Sequence, residues 1–168
     1  MSNDLQLNAV LNNVAFEVFQ ELAFIFPAEG ERDHDPACER TTSAVIFEGA
    51  HAGGIILALP TQMLCALASN MLGLDETAPP TPEQQVDALK ELANVLCGNL
   101  LPAIYGPEAE YRVHSPLILA SAPADAHVGY LCRRTGAAQA ANAKINLELG
   151  MVELTLCVGQ PDRMAKVG

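Results

Sequence analysis

Five residues in mid-chain, Ala78-Pro79-Pro80-Thr81-Pro82, limit the fold more than any other stretch of the sequence. Proline holds φ near about −65° and brings no N–H, so neither a helix interior nor a central strand continues through this run. It reads as a stiff linker that closes one set of elements and opens another. Thr81 is positioned to cap a helix, Pro82 suits its first residue, and the acidic Glu83 favours the positive helix end. That helix is expected to continue to about Ile104 and to stop near Gly106-Pro107.

Upstream, Leu5–Phe26 carries Val10, Val14, Val18 and Leu22 at helical spacing, with Leu11, Ala15 and Phe19 beside them, which predicts a long helix with a broad buried face. A polar connection over Pro27–Arg40 follows. Thr41–Glu48 and Gly54–Leu59 read as a strand pair turned at Gly49–Gly53. Thr61 is the expected cap of a shorter helix to Leu72, closed by Gly73. Beyond the second long helix, Arg112–Ala120, His127–Arg134 and Lys144–Val158 read as strands, the last kinked at Gly150. The order predicts an α+β domain, two long helices on a largely antiparallel sheet. At 168 residues, half of them apolar, the chain is expected to form one domain over residues 1–168 with roughly 70% of its surface buried.

Twenty acidic residues against nine basic ones give a formal charge of −11. Such a chain is repelled by phosphate backbones and anionic lipid surfaces, which argues against nucleic acid and for a protein partner with a positively charged site. Met1–Leu5 has no basic start, and Asn12, Asn13, Glu17, Gln20 and Glu21 interrupt Leu5–Phe26, so neither a signal peptide nor a membrane span is expected. Cys38, Cys65, Cys97, Cys132 and Cys157 are odd in number, with no CxxC pair. They fit a reduced, cytoplasmic chain.

The segment that draws attention is Asp87-Ala-Leu-Lys-Glu91-Leu-Ala-Asn94-Val-Leu-Cys-Gly98-Asn99. On a helix Asp87, Glu91, Asn94 and Gly98 fall within about 60° of one another. Leu89, Ala93, Leu96 and Leu100 take the opposite side. A carboxylate and an amide then project from a well-anchored element, with a flat spot at Gly98 for a partner backbone. The same spacing also fits an ordinary solvated face. Against that, Asn is a mediocre helix former and an interior Gly costs about 1 kcal/mol relative to Ala.

Asp87-x3-Glu91-x2-Asn94 followed by Gly98-Asn99 resembles the signature of the CheC/CheX/FliY chemotaxis phosphatases. The resemblance extends to Pro116, twenty-two residues after Asn94, to Gly53-Gly54-Ile-Ile-Leu-Ala-Leu-Pro60, and to Ala68-Ser-Asn-Met-Leu-Gly73, and so covers nearly the whole chain. It implies a phosphatase acting on the aspartyl phosphate of a CheY-like receiver domain. By that likeness Asn94 positions the attacking water, Glu91 pairs with the receiver's lysine, and Asp87 and Gly98 contact the partner. No cofactor of its own is implied, because the Mg²⁺ belongs to the receiver. Laying Asn13–Phe24 over Asp87–Gly98 suggests a faint duplication, with Glu17 on Glu91 and Gln20 on Asn94. The first helix lacks ExxN, and Phe16, Phe19 and Phe24 are expected to put bulk beside Gln20. One working site makes the chain CheX-like.

CheX likeness also implies a homodimer joined through sheet edges, and Ile145, Leu147, Leu149, Val152, Leu154 and Leu156 are either its apolar edge or core filling. Two other readings stand beside the enzyme. One is a non-catalytic receiver-binding or flagellar-switch adaptor of the same fold, and the other is a dimerising sensor with a small-ligand pocket. Asp33-His34-Asp35 with Cys38 reads as a solvated linker and not a metal site. His51, His114 and His127 have no nucleophile at a telling spacing.

Overall fold

The computed structural model describes residues 2–30 and 35–159, with side chains from Leu5 onward. Asp33 and His34 lie outside the described residues. The elements are α1 (Ser2–Ala23), β1 (Arg40–Gly49), β2 (Gly53–Pro60), α2 (Met63–Leu72), α3 (Pro82–Tyr105), β3 (Tyr111–Val113), β4 (Leu117–Leu119), α4 (Ala124–Thr135), β5 (Ala138–Leu147) and β6 (Gly150–Val158). The strands form one antiparallel sheet in the order β3-β1-β2-β6-β5, with β4 also paired to β1. The α+β class holds.

α1, α2 and α3 cover one face of the sheet, and α4 covers part of the other. This explains the unbroken apolar run of β2, since Ile55, Leu57 and Leu59 face the three helices while Ile56 faces α4. Gly54 sits under α4, where a Cβ would run into the Val45 carbonyl and the Leu131 methyl groups. Among the described residues, no helix is long and apolar enough to cross a membrane.

Four expectations are corrected. His127–Arg134 is not a strand but the body of α4. Val128, Tyr130 and Cys132 alternate as a strand would, yet Asp125 in the first turn, Arg133 and Arg134 in the last, and Gly136 at φ 68° are helix start and stop signals. His127 and Leu131, four apart, are its buried stripe. Arg112–Ala120 is two short strands, not one. Lys144–Val158 is not one kinked strand but most of a hairpin that turns at Glu148-Leu149. Thr61 does not cap α2: its hydroxyl meets that of Thr41 at 2.9 Å, and Gln62 stands at the cap without a side-chain bond.

The hairpin also decides what its apolar residues do. Ile145, Leu147, Val152, Leu154 and Leu156 are all buried in the chain's own core, and only Leu149 is exposed. They are core filling, so their apolarity is no argument for a second subunit. Part of the β5 edge is closed as well. The Asn8 side chain accepts from the Asn142 amide at 3.0 Å, and Pro27 bridges to Leu147.

Candidate functional site

α3 is held at both ends and along one side. The Thr81 hydroxyl accepts from the Gln84 amide and the Gln84 side chain accepts from the Thr81 amide, a capping box with Pro82 at the first helical position. Leu89, Leu92, Leu96, Leu100 and Leu101 are buried, each contributing about 1.5–3 kcal/mol relative to exposure. At the far end Tyr105 stacks on His51 with ring centroids 4.6 Å apart, and His51 Nδ1 lies 3.2 Å from the Tyr111 hydroxyl. Burial pushes the Tyr105 hydroxyl up to about 12, so that hydroxyl stays protonated. The cluster fastens α3 to β3, the element that leads into the opposite wall of the cleft.

The outward stripe is as the spacing requires: Asp87, Glu91, Asn94 and Gly98 are all exposed. Gly98 has open space where a Cβ would stand. Pro102, inside the last turns, has no N–H for the Gly98 carbonyl four residues back, so that carbonyl lacks its helical donor. Among the described residues nothing requires glycine there.

A cleft of 250 Å³ runs beside this stripe, lined by Asp87, Lys90, Glu91 and Asn94 from α3 and by Val113, His114, Ser115 and Pro116 from the chain opposite. The opposite wall exists because the edge strand breaks. β3 pairs with β1 at Glu48 and β4 pairs with it at Ser43, but Pro116 cannot donate to the ladder, and residues 114–116 swing out between them. Only the His114 amide still reaches β1, donating to the Ile46 carbonyl at 2.8 Å. Asp87, Glu91, Asn94 and Pro116 are thus gathered at one cleft. Gly98 lies one turn beyond it on the same face.

Lys90, His114 and Ser115 were not singled out by the sequence. His114 Nε2 stands 3.2 Å from a Glu48 carboxylate oxygen, close enough to pair when the ring is protonated though not aligned as a hydrogen bond. The one signal that pointed here was Pro116, whose effect on an edge strand displaces its neighbours. Cys97, on α3, faces the core, and burial pushes its thiol up to about 12, so it stays protonated and cannot serve as a nucleophile. Among the described residues no group of three or more His, Cys, Asp or Glu side chains is placed to hold a metal.

On α1, Glu17 is exposed and Gln20 half-buried. Contrary to the expectation that all three phenylalanines put bulk beside Gln20, Phe19 is fully buried in the core; Phe16 is half-buried and Phe24 exposed.

Residues 41–132 match the model of the family described as "Chemotaxis phosphatase CheX". Among solved structures, the chemotaxis protein CheX from Desulfovibrio desulfuricans is 15% identical, with a TM-score of 0.65 over 91% of this chain and 99% of that one. CheX from Vibrio vulnificus is 11% identical, with a TM-score of 0.62 over 91% and 96%. A CheX–CheY–BeF3–Mg²⁺ complex from Borrelia burgdorferi matches at 12% identity and a TM-score of 0.58 over 90% and 97%. At such identities the likeness is one of fold. Comparison with curated protein sequences finds no match.

Proposed function

Because this chain belongs to the CheX family of chemotaxis phosphatases, we propose that it hydrolyses the aspartyl phosphate of a CheY-like receiver domain docked on α3. Water attacks phosphorus in line with the aspartyl oxygen, the P–O bond to that oxygen breaks, and inorganic phosphate and a free carboxylate result. Such a reaction asks for positioning and charge stabilisation more than for covalent catalysis. The Asn94 amide is suited to both: its oxygen accepts from the water and its nitrogen donates to a phosphoryl oxygen. Glu91, one turn earlier, pairs with the receiver's lysine and sets the register of docking. Asp87 contacts the receiver at the edge, and Gly98 lets its backbone approach. The Mg²⁺ comes with the receiver.

The observation that carries this reading is the exposed Glu91–Asn94 pair on a rigid buried helix, facing the cleft at Pro116. The Borrelia CheX structure, which contains CheY, BeF3 and Mg²⁺, supports a receiver as the partner. The test is to add the protein to phosphorylated receivers and follow phosphate release. Binding without turnover would return the chain to the adaptor role. The enzyme works in the cytoplasm, beside its receiver, as a homodimer joined through sheet edges that leaves both α3 faces clear. Light scattering at micromolar concentration checks this: a mass near the 17.8 kDa of one chain rejects the dimer.

A further inference from the structure

Two of the free cysteines meet on the sheet face away from α3. Along β6, Val152, Leu154 and Leu156 enter the main core, so Cys157 points to the other face, where it is fully buried with Ala44, Ile56 and Leu131. Cys132, on α4, packs against that same cluster and is half-buried.

Two close contacts fix how α4 lies over the strands. Leu131 stands over Gly54, the residue that pairs with Cys157, with its methyl groups 2.9 and 3.1 Å from the place of a Gly54 Cβ. The missing side chain lets the helix come down onto the sheet. Gly136, at the end of α4, stands over Gly159, its carbonyl 3.4 Å from the place of a Cβ there. Between these contacts the helix and the strand run the same way. Back from Gly136 and Gly159, four residues of helix cover about 6 Å and two residues of strand about 6.6 Å, which brings Cys132 and Cys157 into step.

The two thiols differ in what they can do. Burial, and after it the neighbouring Cys132 thiol, push Cys157 up to about 12, so Cys157 keeps its proton and does not attack first. Cys132 is the one that solvent reaches.

We propose that Cys132 and Cys157 form a reversible disulfide, with hydrogen peroxide as the oxidant. The Cys132 sulfur attacks one peroxide oxygen, the O–O bond breaks, and the thiol proton joins the departing hydroxide as water. Cys132 is then a sulfenic acid. The Cys157 sulfur attacks the Cys132 sulfur, the S–S bond forms, the S–O bond breaks, and the Cys157 proton leaves with the hydroxyl as a second water. Two thiols lose two electrons and the peroxide gains them. A dithiol reductant reverses the step by thiol–disulfide exchange. The bond ties the last turns of α4 to β6, on the side of the sheet away from Glu91 and Asn94.

The full chain is reduced, freed of reductant and treated in native buffer with an equimolar amount of hydrogen peroxide. It is then capped with N-ethylmaleimide in urea and digested with trypsin. Cleavage after Arg112, Arg133, Lys144 and Arg163 leaves each of the two cysteines alone in its peptide. The expected product is a linked pair of those peptides, lighter than their sum by two hydrogens and lost on treatment with dithiothreitol. In Cys157→Ser, Cys132 is expected to stop at the sulfenic acid, which dimedone captures. In Cys132→Ser, oxidation of Cys157 is expected to slow about tenfold, for want of the accessible thiol. Absence of the linked pair from the native chain overturns the proposal. So does a predominant link to Cys38 or Cys65, or Cys157 oxidising at the native rate in Cys132→Ser.

Discussion

α1 and α3 are nearly equal in length, 22 and 24 residues, and both bury an apolar stripe against the same sheet face. They differ in what lies beside their polar residues. α1 packs along β5, a ten-residue strand whose edge it helps to close: Asn8 reaches the Asn142 amide, and the Asn12 side chain donates back to the Asn8 carbonyl at 2.9 Å. α3 lies beside β3 and β4, three residues each, and the break between them opens the cleft against which Glu91 and Asn94 stand. A helix motif alone is thus half of a site. The other half is an edge strand that fails to continue.

The comparison breaks first at Asn94. Asn94→Ala is expected to cost about 3–4 kcal/mol of barrier, about 10²–10³-fold in kcat, with receiver binding nearly unchanged. Single-turnover dephosphorylation with a separate binding titration reads both, and a native rate ends the mechanism. Glu91→Ala is expected to lower kcat/KM roughly thirtyfold, about 2 kcal/mol, through weaker docking and lost register together. Glu91→Gln restores little of this, because a neutral amide does not replace the charge; unchanged steady-state kinetics in both variants removes Glu91 from the site.

Gly98→Ala separates stability from docking. With open space at the Cβ position, the substitution is expected to raise unfolding stability by about 1 kcal/mol in a denaturant titration while weakening the receiver complex. Native affinity in this variant would make Gly98 a bystander. The smallest effect tests the comparison itself. Gln20→Asn on α1 completes an ExxN pattern that begins at Glu17. In an Asn94→Ala background it is expected to restore no measurable turnover, because α1 has no broken edge strand beside it. Recovery of activity there would show that the motif suffices without the cleft.

Much of this is legible without coordinates. The sequence places the end of α3 within one residue, at Ile104 against Tyr105, because Thr81, Pro82 and Gly106 act within a turn of themselves. The exposed stripe Asp87-Glu91-Asn94-Gly98 is legible too, since helical periodicity is a local property. α4 is not, because alternation at Val128, Tyr130 and Cys132 is compatible with a strand. Its burial depends on a sheet face, with Ala44, Ile56 and Cys157 on it, that only assembles from distant segments. Lys90 reads as one more charge on a helix, and His114 as a lone histidine.

The sequence by itself therefore determined the elements whose signals are local: the capped helix, its polar face and its buried leucines. Only the tertiary structure decided what that face looks onto. The cleft depends on Pro116 interrupting a ladder with β1, some seventy residues earlier in the chain. Strand pairing brings together residues that share no local pattern, so a site built on register is invisible until the strands are joined.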